Sequence, residues 1–184
     1  MSNKYIAMKY YNVILIPVLI LAFLLNGCSG DESSESDVYD TPEGIVENAR
    51  FTDLDGNDVS IKDFKGSVVL IDFWESWCGP CLQVFPAMEE LRGEYPEEFQ
   101  VLAVTAGITE GPEIARAFAE EHGYDFHFLY DEYGVFEALG GQGIPFKAYV
   151  DPDGKFIKIE MGSYGRQGDY NRAKALVLEY FDAQ

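Results

Sequence analysis

From Val13 to Leu25 the chain runs through 13 apolar positions without a polar interruption, and from Ser29 to Asp37 it has only small, polar and acidic residues. A spanning helix needs about 20 apolar residues, so the first run is too short to cross a membrane and, with Lys4 and Lys9 ahead of it, reads as an export signal over 1–27. The acidic stretch cannot bury enough apolar surface to offset the entropy of ordering, which makes it a tether over 28–44 in front of a folded domain at 45–184.

Within that domain the period of the apolar positions alternates between two and about three and a half. Phe51, Leu54, Val59 and Ile61 flank Asp55-Gly56-Asn57, a turn signal that predicts an N-terminal hairpin. Val68 to Trp74 is apolar except for Asp72, the pattern of a central strand buried on both faces. Leu82, Phe85, Met88 and Leu91 then recur at every third position, a helical stripe that starts near Cys78 and carries Pro86, a residue expected to kink it. A second buried strand is expected at Val101–Val104. A helix follows from Pro112 to Gly123, patterned by Ile114 and Phe118, and then a short strand through Phe126 and Phe128. After a brief helix at Val135–Leu139 and the glycines at 140, 141 and 143, two strands flank Asp151-Pro152-Asp153-Gly154. An amphipathic helix through Ala173, Leu176, Val177, Tyr180 and Phe181 closes the chain. Strands alternating with helices and ending in a hairpin plus helix predict an α/β fold, a mixed central sheet flanked by helices, with an N-terminal β-hairpin extension.

With 47% hydrophobic residues in 184, the composition suffices for one domain with a core. Removal of the signal takes Lys4 and Lys9 with it and leaves 11 basic against 32 acidic residues, which excludes nucleic acid as a partner. The count of three cysteines is odd, and its resolution lies at the end of the signal: Leu25-Asn26-Gly27-Cys28 resembles the lipobox of bacterial lipoproteins. That resemblance implies lipidation of Cys28, with several acyl chains at about 0.8 kcal/mol per buried CH2 anchoring the protein to a membrane it does not span.

The two remaining cysteines form Cys78-Gly79-Pro80-Cys81, between a buried strand and a helix. A helix start offers unpaired backbone N–H groups and the positive end of the dipole, both of which favour a thiolate at Cys78. In Cys-X-X-Cys sites the thiol's ordinary value of about 8.5 falls to roughly 3.5–7.5. Cys81, one turn deeper, can then attack the mixed disulfide that Cys78 forms with a substrate.

At these residues the chain resembles the thioredoxin superfamily, within it the envelope thioredoxin-like and redoxin group that includes cytochrome c maturation reductases. The likeness spans roughly Arg50 to Ala183. It is carried by Phe73, Trp74, Trp77, the cysteine pair, Pro86 five residues beyond it, Gly143-Ile144-Pro145, and Tyr149-Val150-Asp151 with Gly154. The resemblance implies a cis Ile144-Pro145 bond facing the sulfurs and an Ile144 backbone open to a substrate strand, with Trp77, Gly79 and Pro80 on the substrate face. It also implies a proton-handling acid at Asp72, six residues before Cys78. Two departures stand out: the envelope reductases often carry a glutamate six residues after the first cysteine, where this chain has Val84, and thioredoxins pair the acid with a lysine on the neighbouring strand. No Lys or Arg occurs between Arg92 and Arg116, so Asp72 is expected to be unpaired, desolvated and raised in pKa.

Glu75 reads as a solvated loop acid and Trp74 as core. His122 and His127 beside a single cysteine pair do not make a metal site, so no metal and no cofactor beyond the Cys78–Cys81 couple is expected. A peroxiredoxin-like peroxidase would need Thr or Ser where Glu75 stands, and a binding module without chemistry would not need both cysteines. The reading is therefore a thiol-disulfide oxidoreductase of the bacterial cell envelope. It is expected to be lipid-anchored and monomeric, to act on protein thiols and disulfides, and to be recharged by a membrane electron donor.

Overall fold

The computed structural model describes residues 40–182. The export signal, Cys28 and most of the expected tether lie outside them. Helix α1 (Pro42–Glu47) begins ahead of residue 45, where the sequence put the start of the domain. Thr41 caps it by accepting from Gly44 N–H, Pro42 occupies its first turn, and Val46 is fully buried.

The hairpin β1 (Arg50–Asp53) and β2 (Asp58–Ser60) follows, and Ser60 and Asp63 form a capping box on a single 3-10 turn at Ile61–Phe64. Next come β3 (Val68–Trp74), α2 (Gly79–Glu94), β4 (Phe99–Thr105), α3 (Pro112–His122), β5 (His127–Tyr130) and α4 (Val135–Ala138). The chain closes with β6 (Phe146–Val150), β7 (Phe156–Met161) and α5 (Gly165–Phe181). The strands form one seven-stranded sheet in the order β2-β1-β5-β4-β3-β6-β7, with β3, β4 and β5 parallel and the other pairings antiparallel.

Alternation along β3 decides which side each residue serves. Val69, Ile71 and Phe73 enter one core with Val46, Phe51, Phe136 and Phe146, under α1 and α4. Val68 and Leu70 point the other way, towards Val84, Met88 and Leu91 of α2 and Leu176 and Val177 of α5. Asp72 and Trp74 share this second face. Trp74 is core, as expected, with ring centroids 4.9 Å from Phe85 and 4.6 Å from Phe118. Helix α2 runs through Pro86 without interruption. In α3 the inward residues are Ala115 and Phe118, while Ile114, assigned to the apolar stripe from spacing alone, is exposed. Gly123 ends α3 at φ 67°, a left-handed position that glycine adopts without steric cost.

Candidate active site

Cys78 is the N-cap of α2, with Gly79 and Pro80 in its first turn and Cys81 at the end of that turn. The two sulfurs are joined in a disulfide, and Cys81 N–H points at Cys78 Sγ from 3.2 Å. Cys78 is 3% exposed and Cys81 wholly enclosed. Gly79 and Pro80, between them, are exposed.

The Ile144-Pro145 bond is cis. Pro145 is buried and its carbonyl accepts from Gly162 N–H, whereas the backbone N–H and C=O of Ile144 take part in no backbone hydrogen bond among the described residues. Ile144 packs against the cluster that contains Trp74, Cys78 and Cys81, which brings the two distant sequence motifs together. The loop leading to it is pinned at Gly141, where an added Cβ would sit 2.3 Å from the Phe136 ring, itself packed on Phe73 and Phe146.

Asp72 is fully buried, and neither carboxylate oxygen has a hydrogen-bond partner among the described residues. It lies between Leu70 and Trp74 on the face covered by α2, next to Ala103 of β4, which belongs to the same cluster as Cys81. Burial pushes its pKa up to about 8, with Lys147 pulling the other way and Asp169 adding to the rise. Asp72 is thus unpaired, desolvated and raised in pKa, as expected, and β4 carries no lysine. What the sequence did not show is that β3 has a second neighbour, β6, where Lys147 is the register partner of Asp72, because β6 arrives about seventy residues later in the chain.

The expectation for Glu75 is corrected. It is not a solvated loop acid but is fully enclosed, and its carboxylate accepts from Ile108 N–H (2.5 Å), Thr109 N–H (3.0 Å), Thr109 Oγ1 (2.7 Å) and Trp77 Nε1 (2.6 Å). Burial raises its pKa, yet these donors together hold it below the ordinary glutamate value. Trp77 is thereby fixed with its ring 57% exposed beside the cysteines, and Ile108 is exposed on the loop clasped to it. Glu110 completes the clasp by accepting from Ser76 N–H and Oγ. Neither acid has a motif around it, so nothing in the sequence near Thr109-Glu110 marked the contact.

The histidines lie apart from the sulfurs: His122 stacks on Phe118, and His127 faces Gln100 and the Phe64 ring.

A family model described as Redoxin matches residues 42–176. The thioredoxin-like protein YneN of Bacillus subtilis is 34% identical over 151 residues, 78% of this chain and 88% of that one. Thiol-disulfide oxidoreductase ResA of Bacillus thuringiensis is 31% identical over 165 residues, 85% of this chain and 92% of that one. A crystal structure of a putative thiol:disulfide interchange protein DsbE from Chlorobium tepidum superimposes with a TM-score of 0.62 at 30% identity, over 72% of this chain and 92% of the other.

Proposed function

The chain belongs to the redoxin family and is a thiol-disulfide oxidoreductase, and on that premise we propose that it reduces protein disulfides with Cys78 as the attacking sulfur, Cys81 as the resolving one and Asp72 as the proton carrier. The observation that carries the assignment is the position of the two cysteines on α2: Cys78 caps the helix and is slightly exposed, and Cys81 is enclosed one turn deeper. A thiolate at a helix N-terminus is stabilised by the N–H groups and dipole around it, which suits the first sulfur to attack.

In the reduced protein Cys78 thiolate attacks one sulfur of the substrate disulfide, whose other sulfur leaves as a thiolate. Cys81 then gives its proton to the Asp72 carboxylate and attacks Cys78. The mixed disulfide breaks, the Cys78–Cys81 bond forms, and the second substrate thiolate departs and takes a proton from water. Two electrons have passed from the dithiol to the substrate. In the opposite direction a donor thiolate attacks Cys78 and opens the Cys78–Cys81 bond, and protonated Asp72 returns its proton to Cys81. The donor's second thiolate then attacks its own sulfur in the mixed disulfide, closing the donor disulfide and releasing Cys78 thiolate. A carboxyl held near 8 is suited to both steps, because the most effective proton carrier has an acidity near the working pH. The unengaged Ile144 backbone beside the sulfurs supports strand-like docking of the substrate, and Trp77, Gly79 and Pro80 form the exposed rim it would meet.

The charged-then-apolar N-terminus and Cys28 support export and lipid anchoring in the bacterial envelope. There a membrane electron donor would restore the dithiol, and cytochrome c maturation is one process such a reductase would serve. Dithiol-driven reduction of insulin, measured beside direct consumption of hydrogen peroxide, tests the activity. Insulin reduction without peroxide turnover is expected, and rapid peroxide turnover with no effect on insulin would overturn the assignment.

A further inference from the structure

Lys147 and Asp169 form an ion pair in which both side chains are wholly enclosed, with Nζ 2.5 Å from Oδ1, and sulfur exchange itself needs neither of them. Lys147 lies in a row of charges across three strands of one sheet face: Asp72 on β3, Lys147 on β6 and Glu160 on β7 are consecutive register partners. One ammonium is thus offered three carboxylates, and its position among them decides their protonation. Glu160 is already served, since its Oε1 receives Lys158 at 2.9 Å and Arg172 at 2.8 Å while its Oε2 stays 3.8 Å from Lys147. Asp169 takes the direct contact, and its other oxygen is braced by Ser163 Oγ at 2.6 Å and Tyr164 N–H at 3.1 Å. No oxygen of Asp72 comes within 4.0 Å of Lys147 Nζ.

We infer that Asp169, braced by Ser163 and the Tyr164 amide, draws Lys147 away from Asp72 and so sets the acidity of Asp72; Lys147 and Asp169 are positioning residues for the proton carrier of the exchange reaction. This rests on the role proposed above for Asp72. A lysine in contact with Asp72 would hold it as a carboxylate throughout the neutral range, too weak a base to take a proton from a thiol. With the lysine committed to α5, only its more distant attraction is left, and burial dominates. The other titratable or charged groups around this space do not replace the lysine. Tyr149 on β6 has an enclosed hydroxyl without a partner. Lys158 and Arg172 are occupied by Glu160, Tyr164 lies with its ring over Lys147 and Arg172, and α2 contributes only the disulfide-bonded Cys78 and Cys81.

The test is a carbon-13 titration of the Asp72 carboxyl in the oxidised full-length chain, with the pH dependence of mixed-disulfide resolution measured in parallel. Asp169→Asn frees the lysine and is expected to move the Asp72 inflection down by one pH unit or more. Lys147→Gln removes the attraction and moves it up. Ser163→Ala keeps every charge, loosens the brace and moves it down by less, which covers the case that Asp169→Asn fails to fold. An Asp72 inflection unchanged in the folded variants, with only melting temperatures lowered, would overturn the inference and leave a structural ion pair. Inflections that move as expected while resolution rates ignore them would instead uphold the control of Asp72 by this pair and refute the proton-carrier role itself.

Discussion

Glu75 and Glu110 cross the same gap in opposite directions: Glu75 reaches from the loop before the cysteines to the amides of Ile108 and Thr109, and Glu110 reaches back to Ser76. Two loops more than thirty residues apart are tied by paired carboxylates, and the exposed Trp77 ring is fixed between them.

Glu75→Gln should therefore loosen both the loop and the indole. Charge-assisted hydrogen bonds contribute about 1.5–3 kcal/mol each, but Gln keeps some of the acceptors, so a net loss of about 2 kcal/mol at pH 7 is expected in urea unfolding. Because the folded Glu75 has a depressed pKa, its contribution is present above the unfolded value near 4.5 and is lost as pH falls through the folded one. The difference between wild type and variant should accordingly shrink at pH 3.5, and a difference independent of pH would place the effect in shape rather than charge.

Asp72→Asn should have the opposite dependence. With the folded pKa raised to about 8, wild-type stability is highest below the unfolded value near 4, falls as pH rises towards 8 and then levels off. The whole span is at most about 6 kcal/mol, so the Asn variant should match wild type near pH 4 and exceed it by several kcal/mol at pH 8. Lys147 is the reason to measure this: were its attraction to outweigh burial, the variant would be the less stable of the two at pH 8.

How far the sequence revealed these relationships depends on how local each one is. The strand, turn and cysteine motif at Val68–Cys81 announced the central strand and the first sulfur, because a continuous apolar run and the helix start after it are written in adjacent residues. The α/β class with a mixed sheet followed from the alternation of elements, whereas the strand order did not. Lys147 and Glu75 were hidden for the same physical reason: a charge opposite another across a sheet, or a carboxylate that gathers amides from a distant loop, is specified by tertiary pairing. The first half of helix α1 was absorbed into the tether because six residues with a single buried valine leave almost no periodic signal.

Trp77→Ala should cost about 1.5–3 kcal/mol, the charge-assisted bond from Nε1 to buried Glu75, and little more, since the residue is mostly exposed. If the ring is part of the rim that meets protein substrates, KM for insulin rises severalfold while reaction with a small disulfide such as oxidised glutathione keeps its rate. Equal losses with both substrates would assign Trp77 to the chemistry of the sulfurs instead.

Cys28→Ser should release the exported protein from membranes. Fractionation followed by a high-salt wash reads this out, with the variant expected in the soluble fraction. Retention of the variant in the membrane would mean that the apolar segment, and not acylation, is the anchor.

The division of labour between the two sulfurs is tested most directly by trapping. Cys81→Ala, incubated with a protein disulfide and quenched with acid, should accumulate a mixed disulfide through Cys78, visible as a higher-mass species on a non-reducing gel that disappears with dithiothreitol. Cys78→Ala should trap none. Accumulation by Cys78→Ala in place of Cys81→Ala would contradict the account, for the enclosed sulfur would then be the one that attacks.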